Sequence, residues 1–298
     1  MSKAVRPLLI EAVSQLRAVG VESPEQEARQ LLAYAAGVEL ARLPLVDAVE
    51  DGQAVHFQTL IEKRSQRIPL QHLTGRAHFR HLELEVGPGV FVPRPETEVM
   101  TGWAIEQLRP MVYAVARGTS RHLPVVVELG TGSGAIAKSI ATELTGTRVY
   151  AVELSEEAAA YASRNLADTT VELCVQDMIG ALPQLNGAVD LVIANPPYIP
   201  LEAFESVIPE VRDHDPLLAL FSGQDGLDAI RVVVAEAARL LRPAGLLCVE
   251  HADVQGESAQ QVVVTHGGFA GVRDHPDLTG RSRFVTAVRR HPDRAPAW

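Results

Sequence analysis

Apolar positions in the first quarter of the chain recur at helical spacing. Leu8, Leu9, Ala12, Val13, Leu16 and Val19 share one helix face, and Ala28, Leu31, Leu32 and Ala35 share a face of a second helix that ends at Gly37. Ser23-Pro24-Glu25 starts that second helix, with Pro in the first turn, where its missing N–H costs nothing. A third helix is expected over roughly 54–67, so residues 1–75 read as a small helical domain.

From Arg76 the period changes to two. Phe79, Leu82, Leu84 and Val86 alternate into Gly87-Pro88-Gly89, and Val90-Phe91-Val92 follows; this predicts a β-hairpin connector over 76–92 with its turn at the glycines. Pro93-Arg94-Pro95-Glu96 opens a helix expected to end near Leu108, and 110–122 reads as an irregular surface connection. Beyond Pro124, apolar strands at 125–127, 149–152, 171–175, 189–194 and 246–250 alternate with helices at 135–144, 156–166 and 227–241. That alternation is the α/β pattern of a doubly wound, mainly parallel, Rossmann-like sheet. Two further strands, 269–273 and 284–288, are expected to close it as an antiparallel pair, which bounds the domain at 93–290 and leaves 291–298 as a frayed tail.

Composition narrows the class. A chain of 298 residues with 47% hydrophobic content can bury a sizeable core. Charges interrupt every apolar stretch before the roughly 20 residues a membrane helix needs; Arg231, Glu236 and Arg239 break even 229–241. Glu11 and Gln15 follow Leu8-Leu9-Ile10 too closely for a signal-peptide core, so a cytoplasmic location is expected. Cys174 and Cys248 sit in apolar runs without CxxC spacing, the ten histidines are scattered, and no structural metal is expected. The formal charge of −10 is uneven, with 10 Lys and Arg against 11 Asp and Glu up to Val90, and 17 against 26 beyond it. A surface that held a nucleic-acid backbone would carry the opposite sign.

The candidate chemistry lies in the second part. The first strand of the alternating region runs into Gly130-Thr131-Gly132-Ser133-Gly134 and then directly into a helix. Glycines there let a ligand approach backbone N–H groups at a helix N-terminus. Glu153 ends the next strand, where an acid accepts hydrogen bonds from ribose hydroxyls; its alternative is a solvated cap for the helix that begins at Glu156. Gly130 to Ala135 also satisfies the dinucleotide pattern GxGxxG/A, so the glycines alone leave a nicotinamide enzyme open. The third and fourth strands favour another ligand. Gln176-Asp177-Met178 offers a polar and an apolar side chain for an adenine ring, and Asn195-Pro196-Pro197-Tyr198 follows the fourth strand.

In that tetrapeptide, each proline holds the residue before it in extended geometry, so the loop is stiff. The Asn195 side-chain carbonyl and the Pro196 backbone carbonyl can then accept both N–H bonds of a planar NH2 group, and Tyr198 supplies a flat wall. The alternative is a purely structural Pro-Pro turn with a capping Asn.

With these residues in place, the chain resembles the release-factor glutamine methyltransferase family (PrmC, also called HemK). Matching stretches are Pro69-Leu70-Gln71-His72-Leu73-Thr74-Gly75, Phe91-Val92-Pro93-Arg94-Pro95-Glu96-Thr97-Glu98, the glycine loop, Asn195 to Pro200, Asp215-Pro216 with the Gly223 to Gly226 loop, and Val249-Glu250-His251. The resemblance implies an N-terminal helical substrate-docking domain joined by a β-hairpin to a Rossmann-like S-adenosylmethionine-dependent methyltransferase domain. It also implies a substrate glutamine in the Gly-Gly-Gln loop of peptide-chain release factors. By position, Gly130, Thr131, Gly132, Ser133, Gly134, Glu153, Asp177, Met178 and Asn195 would bind the cofactor, and Asn195, Pro196, Pro197 and Tyr198 the glutamine. Glu153 stands where members often carry Asp, and Met178 where they often carry an aromatic residue. Phe91 and Arg94 are expected at the cleft, Arg94 as a ligand contact or as half of an interdomain salt bridge. Direct nucleic-acid contact and membrane association are not expected, and a monomer is. Two readings compete: a nucleic-acid amino-methyltransferase, which shares the NPPY motif, and a release-factor-binding protein without activity.

Overall fold

A computed structural model of the chain describes residues 2–291, so most of the tail expected to fray, 292–298, lies outside it. Two units result, one of residues up to Arg76 together with 208–214, the other of 77–207 and 215 onward.

In the first unit, α1 (Val5–Ala18), α2 (Pro24–Ala36), α3 (Asp51–Ser65) and the short α4 (Leu70–Thr74) pack around Ala12, Leu16, Leu31, Leu32, Phe57 and Ile61. A short strand β1 (Ser2–Ala4) pairs antiparallel with β2 (Ala48–Glu50). α3 starts three residues before its apolar pattern because Glu50 and Gln53 form a capping box, the Glu50 N–H donating to Gln53 Oε1 at 2.9 Å. Segment 208–214 belongs to this unit through ion pairs. Buried Arg64 meets Glu27 and, at 2.9 Å, Glu210, whose other oxygen takes Arg67 at 2.7 Å.

The second unit corrects the expected hairpin. Its strands are β3 (Arg76–Phe79) and β4 (Leu82–Glu85), and the turn falls at Arg80-His81. Arg80 takes a positive φ of 52° there and is tied to Glu143 at 2.6 and 2.7 Å. Residues 86–92 form no strand. Gly87 and Gly89 instead serve a close approach to the later helix, since an added Cβ would lie 2.4 Å from the Tyr161 hydroxyl and 2.6 Å from Glu157 Oε2, respectively.

A second correction concerns the connection after Leu108. Helix α5 (Pro95–Ala116) runs through Pro110, although an interior proline forfeits a bond and costs about 3 kcal/mol. Met111 and Val112 continue the apolar face of Met100, Ala104 and Leu108 against the core, and that packing carries the helix on.

The sheet then builds in sequence: β5 (Val125–Leu129), α6 (Ala135–Glu143), β6 (Arg148–Glu153), α7 (Glu156–Leu166), β7 (Glu172–Val175), β8 (Val189–Ala194), α8 (Asp228–Leu240), β9 (Leu241–Glu250), α9 (Gly256–His266), β10 (Phe269–Pro276) and β11 (Ser282–Arg289). The seven strands lie in the order β10-β11-β9-β8-β5-β6-β7 and all point the same way except β11, which runs antiparallel to both of its neighbours, β9 and β10. Alternate residues of β5 face opposite sides: Val126 joins the core under α5 and α6, while Val125, Val127 and Leu129 join the core under α8 and α9. Both faces being covered explains why these strands read as unbroken apolar runs.

Strand order reverses at β5, which pairs with β6 on one side and β8 on the other. In open parallel sheets such a reversal leaves a crevice at the carboxyl ends of the strands, where ligands bind.

Candidate active site

Register places the predicted residues in one row at that edge. Leu129 pairs with Val152 and with Ala194, Ala194 pairs with Val249, and Glu153 pairs with Val175. The residues that follow, Gly130 after β5 and Asn195 after β8, therefore leave neighbouring strands at the same height. Glu153 lies to one side of them and Glu250 to the other.

The glycine loop turns back across β6, with the Gly130 and Thr131 N–H groups donating to the Val152 carbonyl at 2.9 and 3.0 Å. Gly130, Gly132 and Gly134 all hold positive φ, and a Cβ added at Gly130 or Gly132 meets nothing within 4 Å. The loop is thus an open cradle at the start of α6, and it fits the nucleoside and amino-acid parts of S-adenosylmethionine. Beneath it lies Glu128, which accepts from the Thr131 hydroxyl at 2.6 Å and the Ala137 N–H at 2.9 Å. Burial pushes the Glu128 carboxyl up to about 8 despite those two donors.

Glu153 is no solvated cap. It is buried, and its two oxygens accept the Gly132 N–H at 2.8 Å and the Ser155 N–H at 2.9 Å. Each oxygen keeps a lone pair free for a hydroxyl. Past β7, the exposed Asp177 turns Oδ1 back to the Ile179 N–H at 2.9 Å, while Met178 packs partly into the core under α8. Leu154, directly after β6, and Ile179, in the loop beyond β7, are exposed apolar side chains beside these residues. Neither was predicted from the sequence; for Leu154 the available signal was an apolar residue directly after the acid that ends β6.

After Asn195-Pro196-Pro197-Tyr198 the chain continues into a clamp. Ile199 N–H donates to Leu220 O at 2.9 Å, Ser222 N–H to Ile199 O at 3.0 Å, and Gln255 Nε2 to Tyr198 O at 2.9 Å. Two side chains then converge on a buried carboxylate, and a third joins through one of them. Asn195 Nδ2 donates to Thr97 Oγ1 at 3.1 Å, Thr97 donates to Glu250 Oε2 at 2.7 Å, and the Tyr198 hydroxyl donates to Glu250 Oε1 at 3.3 Å. Thr97 and Glu250 were read only as parts of matching stretches. Burial raises Glu250 to about 7, and burial together with the Glu250 charge holds the Tyr198 phenol well above its usual range.

Phe91 and Arg94 are drawn together near this segment, where the Arg94 charge bears on the Tyr198 phenol. Arg94 lies 4.9 Å from the centre of the Phe91 ring and bonds buried Asp215 at 2.7 Å, so its salt bridge falls within one unit rather than between two. Asp215 is pushed up to about 6 because burial outweighs the Arg94 charge.

Comparison with known proteins agrees with this architecture. A model of the PrmC N-terminal domain matches residues 7–75, and a model described as a methyltransferase domain matches 126–214. The chain is 50% identical to a release factor glutamine methyltransferase of Streptomyces coelicolor, over 95% of this chain and 97% of that one. It is 45% identical to one of Mycolicibacterium smegmatis, over 96% and 98%. A 4-amino-L-phenylalanine/4-methylamino-L-phenylalanine methyltransferase of Streptomyces pristinaespiralis is 37% identical over 97% and 96%. Among solved structures, the hMettl16 catalytic domain in complex with a MAT2A 3'UTR hairpin shares the fold, with 15% identity, a TM-score of 0.50 and coverage of 84% and 86%. Its near-full-length likeness to two release factor glutamine methyltransferases, together with the matched N-terminal domain, places the chain in the release factor glutamine methyltransferase family.

Proposed function

We propose that this chain transfers a methyl group from S-adenosylmethionine to the side-chain amide nitrogen of the glutamine in the Gly-Gly-Gln loop of peptide-chain release factors. The observation that carries the reading is the register match of Leu129 with Ala194, which sets the glycine cradle and Asn195 side by side at the sheet reversal.

S-adenosylmethionine supplies an electrophilic methyl on a sulfonium. The chain supplies position. Gly130, Thr131, Gly132, Ser133 and Gly134 receive the cofactor's backbone-facing side, Glu153 its ribose, and Asp177 with Met178 its adenine, with Leu154 and Ile179 as further apolar walls. Asn195 Oδ1 and the Pro196 carbonyl accept the two amide N–H bonds, which aims the nitrogen lone pair; Pro197 stiffens the loop and Tyr198 walls the plane. A delocalised amide is a weak nucleophile, so alignment and desolvation carry the rate. Tyr198 is no base here, since its phenol is held protonated. The methylated nitrogen becomes acidic and releases its proton to water. Phe91 and Arg94 shape the cleft wall through Asp215. The first unit docks the release factor as a protein surface, and the enzyme acts as a cytoplasmic monomer on translation termination.

Methyl incorporation into a purified release factor tests this, against its Gln-to-Ala variant, DNA, RNA and free 4-amino-L-phenylalanine. Incorporation confined to the intact glutamine is expected. Labelling of the Gln-to-Ala variant, or preference for a nucleic acid or the free aryl amine, would refute it. Asn195→Ala should lose about 100-fold in the single-turnover rate, the cost of roughly 1 Å of misalignment. Release-factor affinity should change little, because the rest of the interface is intact. Asn195→Asp should also impair turnover while retaining cofactor, since its charge favours the sulfonium that is lost as the methyl transfers.

A further inference from the structure

We propose that Thr97 and Glu250 are positioning residues that fix which way the Asn195 amide faces, keeping its carbonyl oxygen turned toward the acceptor nitrogen. The inference rests on the reading of Asn195 as the residue that holds the substrate amide.

An Asn side chain presents nearly the same shape either way round, so its orientation is decided by its partners. An ionised carboxylate only accepts hydrogen bonds. Glu250 Oε2 therefore takes the single hydroxyl proton of Thr97 at 2.7 Å, and Oε1 takes the Tyr198 proton at 3.3 Å. With its proton committed, Thr97 Oγ1 can only accept from its other neighbour. That neighbour is Asn195 Nδ2 at 3.1 Å. A flipped Asn195 would set Oδ1 against Oγ1 with no proton between them. The relay is dry as well as directional: Thr97 and Glu250 are 4% and 1% exposed. Its parts arrive from three elements, the first turn of α5, the end of β9 and the loop after β8.

Protonation of Glu250 would undo the polarity. A carboxylic acid can donate to Thr97, whose own proton then turns to Asn195 and draws Oδ1 away from the substrate, leaving NH2 facing NH2. The groups facing Glu250 are Arg283 from β11, which favours the charged form, and Glu96 from α5, which opposes it, besides Thr97 and Tyr198. With burial the largest influence, the carboxyl titrates at about 7, within working pH. Glutamine at this position imitates the acid permanently, because its Nε2 can donate to Thr97.

Single-turnover methylation of a purified release factor and S-adenosylmethionine affinity, measured on the full chain, test the relay in Thr97→Val, Thr97→Ser, Glu250→Gln and Asn195→Ala. Thr97→Val and Glu250→Gln should each slow turnover about tenfold or more with cofactor affinity within about twofold, and Thr97→Ser should restore the rate. The wild-type rate should fall as pH drops through about 7. That acid limb should vanish in Glu250→Gln. Wild-type turnover in Thr97→Val, or an unchanged limb in Glu250→Gln, overturns the relay while a collapsed Asn195→Ala leaves the acceptor reading standing. A wild-type rate in Asn195→Ala overturns both. Should Thr97→Val fail to fold, Glu250→Gln and its pH profile decide alone.

Discussion

Gly132 and Gly134 share a positive φ but not a reason for it. At Gly134 (φ 84°) an added Cβ would press on Leu166 at 3.1 Å, so the glycine allows helix α6 to pack on α7. At Gly132 (φ 56°) the same Cβ would enter open space, so packing leaves room for a side chain and only the proposed cofactor contact would exclude one. Gly132→Leu should therefore fold, with about 1–2 kcal/mol of backbone strain, and lose S-adenosylmethionine binding. Gly134→Leu should melt at markedly lower temperature through overpacking. Calorimetric titration and thermal melts separate the two, and unaltered cofactor affinity in folded Gly132→Leu would remove the loop from the cofactor site. At this scale the glycine turn after β5 and the Asn195-Pro196-Pro197-Tyr198 loop after β8 were legible as turns because their geometry is local. Glu128, Thr97 and Glu250 were not legible, since each sits alone in its stretch of sequence and acquires partners only when strands and helices assemble. Glu128 needs the loop after β5 to curl over it, and Thr97 meets Glu250 across 153 positions of sequence.

Among elements, the loop around Gly226 packs closely behind the proposed acceptor segment. Gly226 has φ 75°, and a Cβ there would lie 2.3 Å from the Tyr198 carbonyl oxygen and 2.7 Å from Gln255 Nε2, the group that clamps that carbonyl. Gly226→Ala should push the acceptor loop off its position and reduce turnover by up to about 100-fold, while cofactor affinity, set on β5 and β6, changes far less. A variant with wild-type kcat would show that the loop yields without consequence. The elements themselves were read well where periodicity and caps agreed. The 156–166 and 189–194 ranges match the structure, and Ser155 caps the former by accepting the Ala158 N–H. Two failures have physical causes. Gly87-Pro88-Gly89 looked like a hairpin turn, but those glycines serve the approach of Tyr161 and Glu157, which no local pattern reveals. Helix α9 went unread because it buries only Gly256, Ala259 and Val263, and its Val262-Val263-Val264 run looks like a strand.

At the level of the whole molecule, all seven strands of the main sheet and every candidate site residue belong to the second unit, whereas the first contributes no residue to the proposed chemistry. A chain beginning at Ala77 should then keep S-adenosylmethionine affinity within a few-fold of the full chain's, since no element of the sheet is lost. The weak point of such a truncation is 208–214, which loses Arg64 and Arg67 as partners of Glu210. Removing one partner from a buried ion pair is costly when the other charge stays buried. Here the helices that cover Glu210 leave together with its partners, so the carboxylate gains water rather than being stranded. The local clamp survives too, because the Ile199 bonds to Leu220 and Ser222 are internal to the second unit. If the first unit acts only in docking, methylation of an intact release factor should collapse in the truncated chain, chiefly through KM. A short peptide carrying the Gly-Gly-Gln loop, which needs no remote surface, should lose far less. Equal loss for protein and peptide, accompanied by lost cofactor binding, would show that the first unit holds the catalytic unit in its folded form, and the docking assignment would be abandoned.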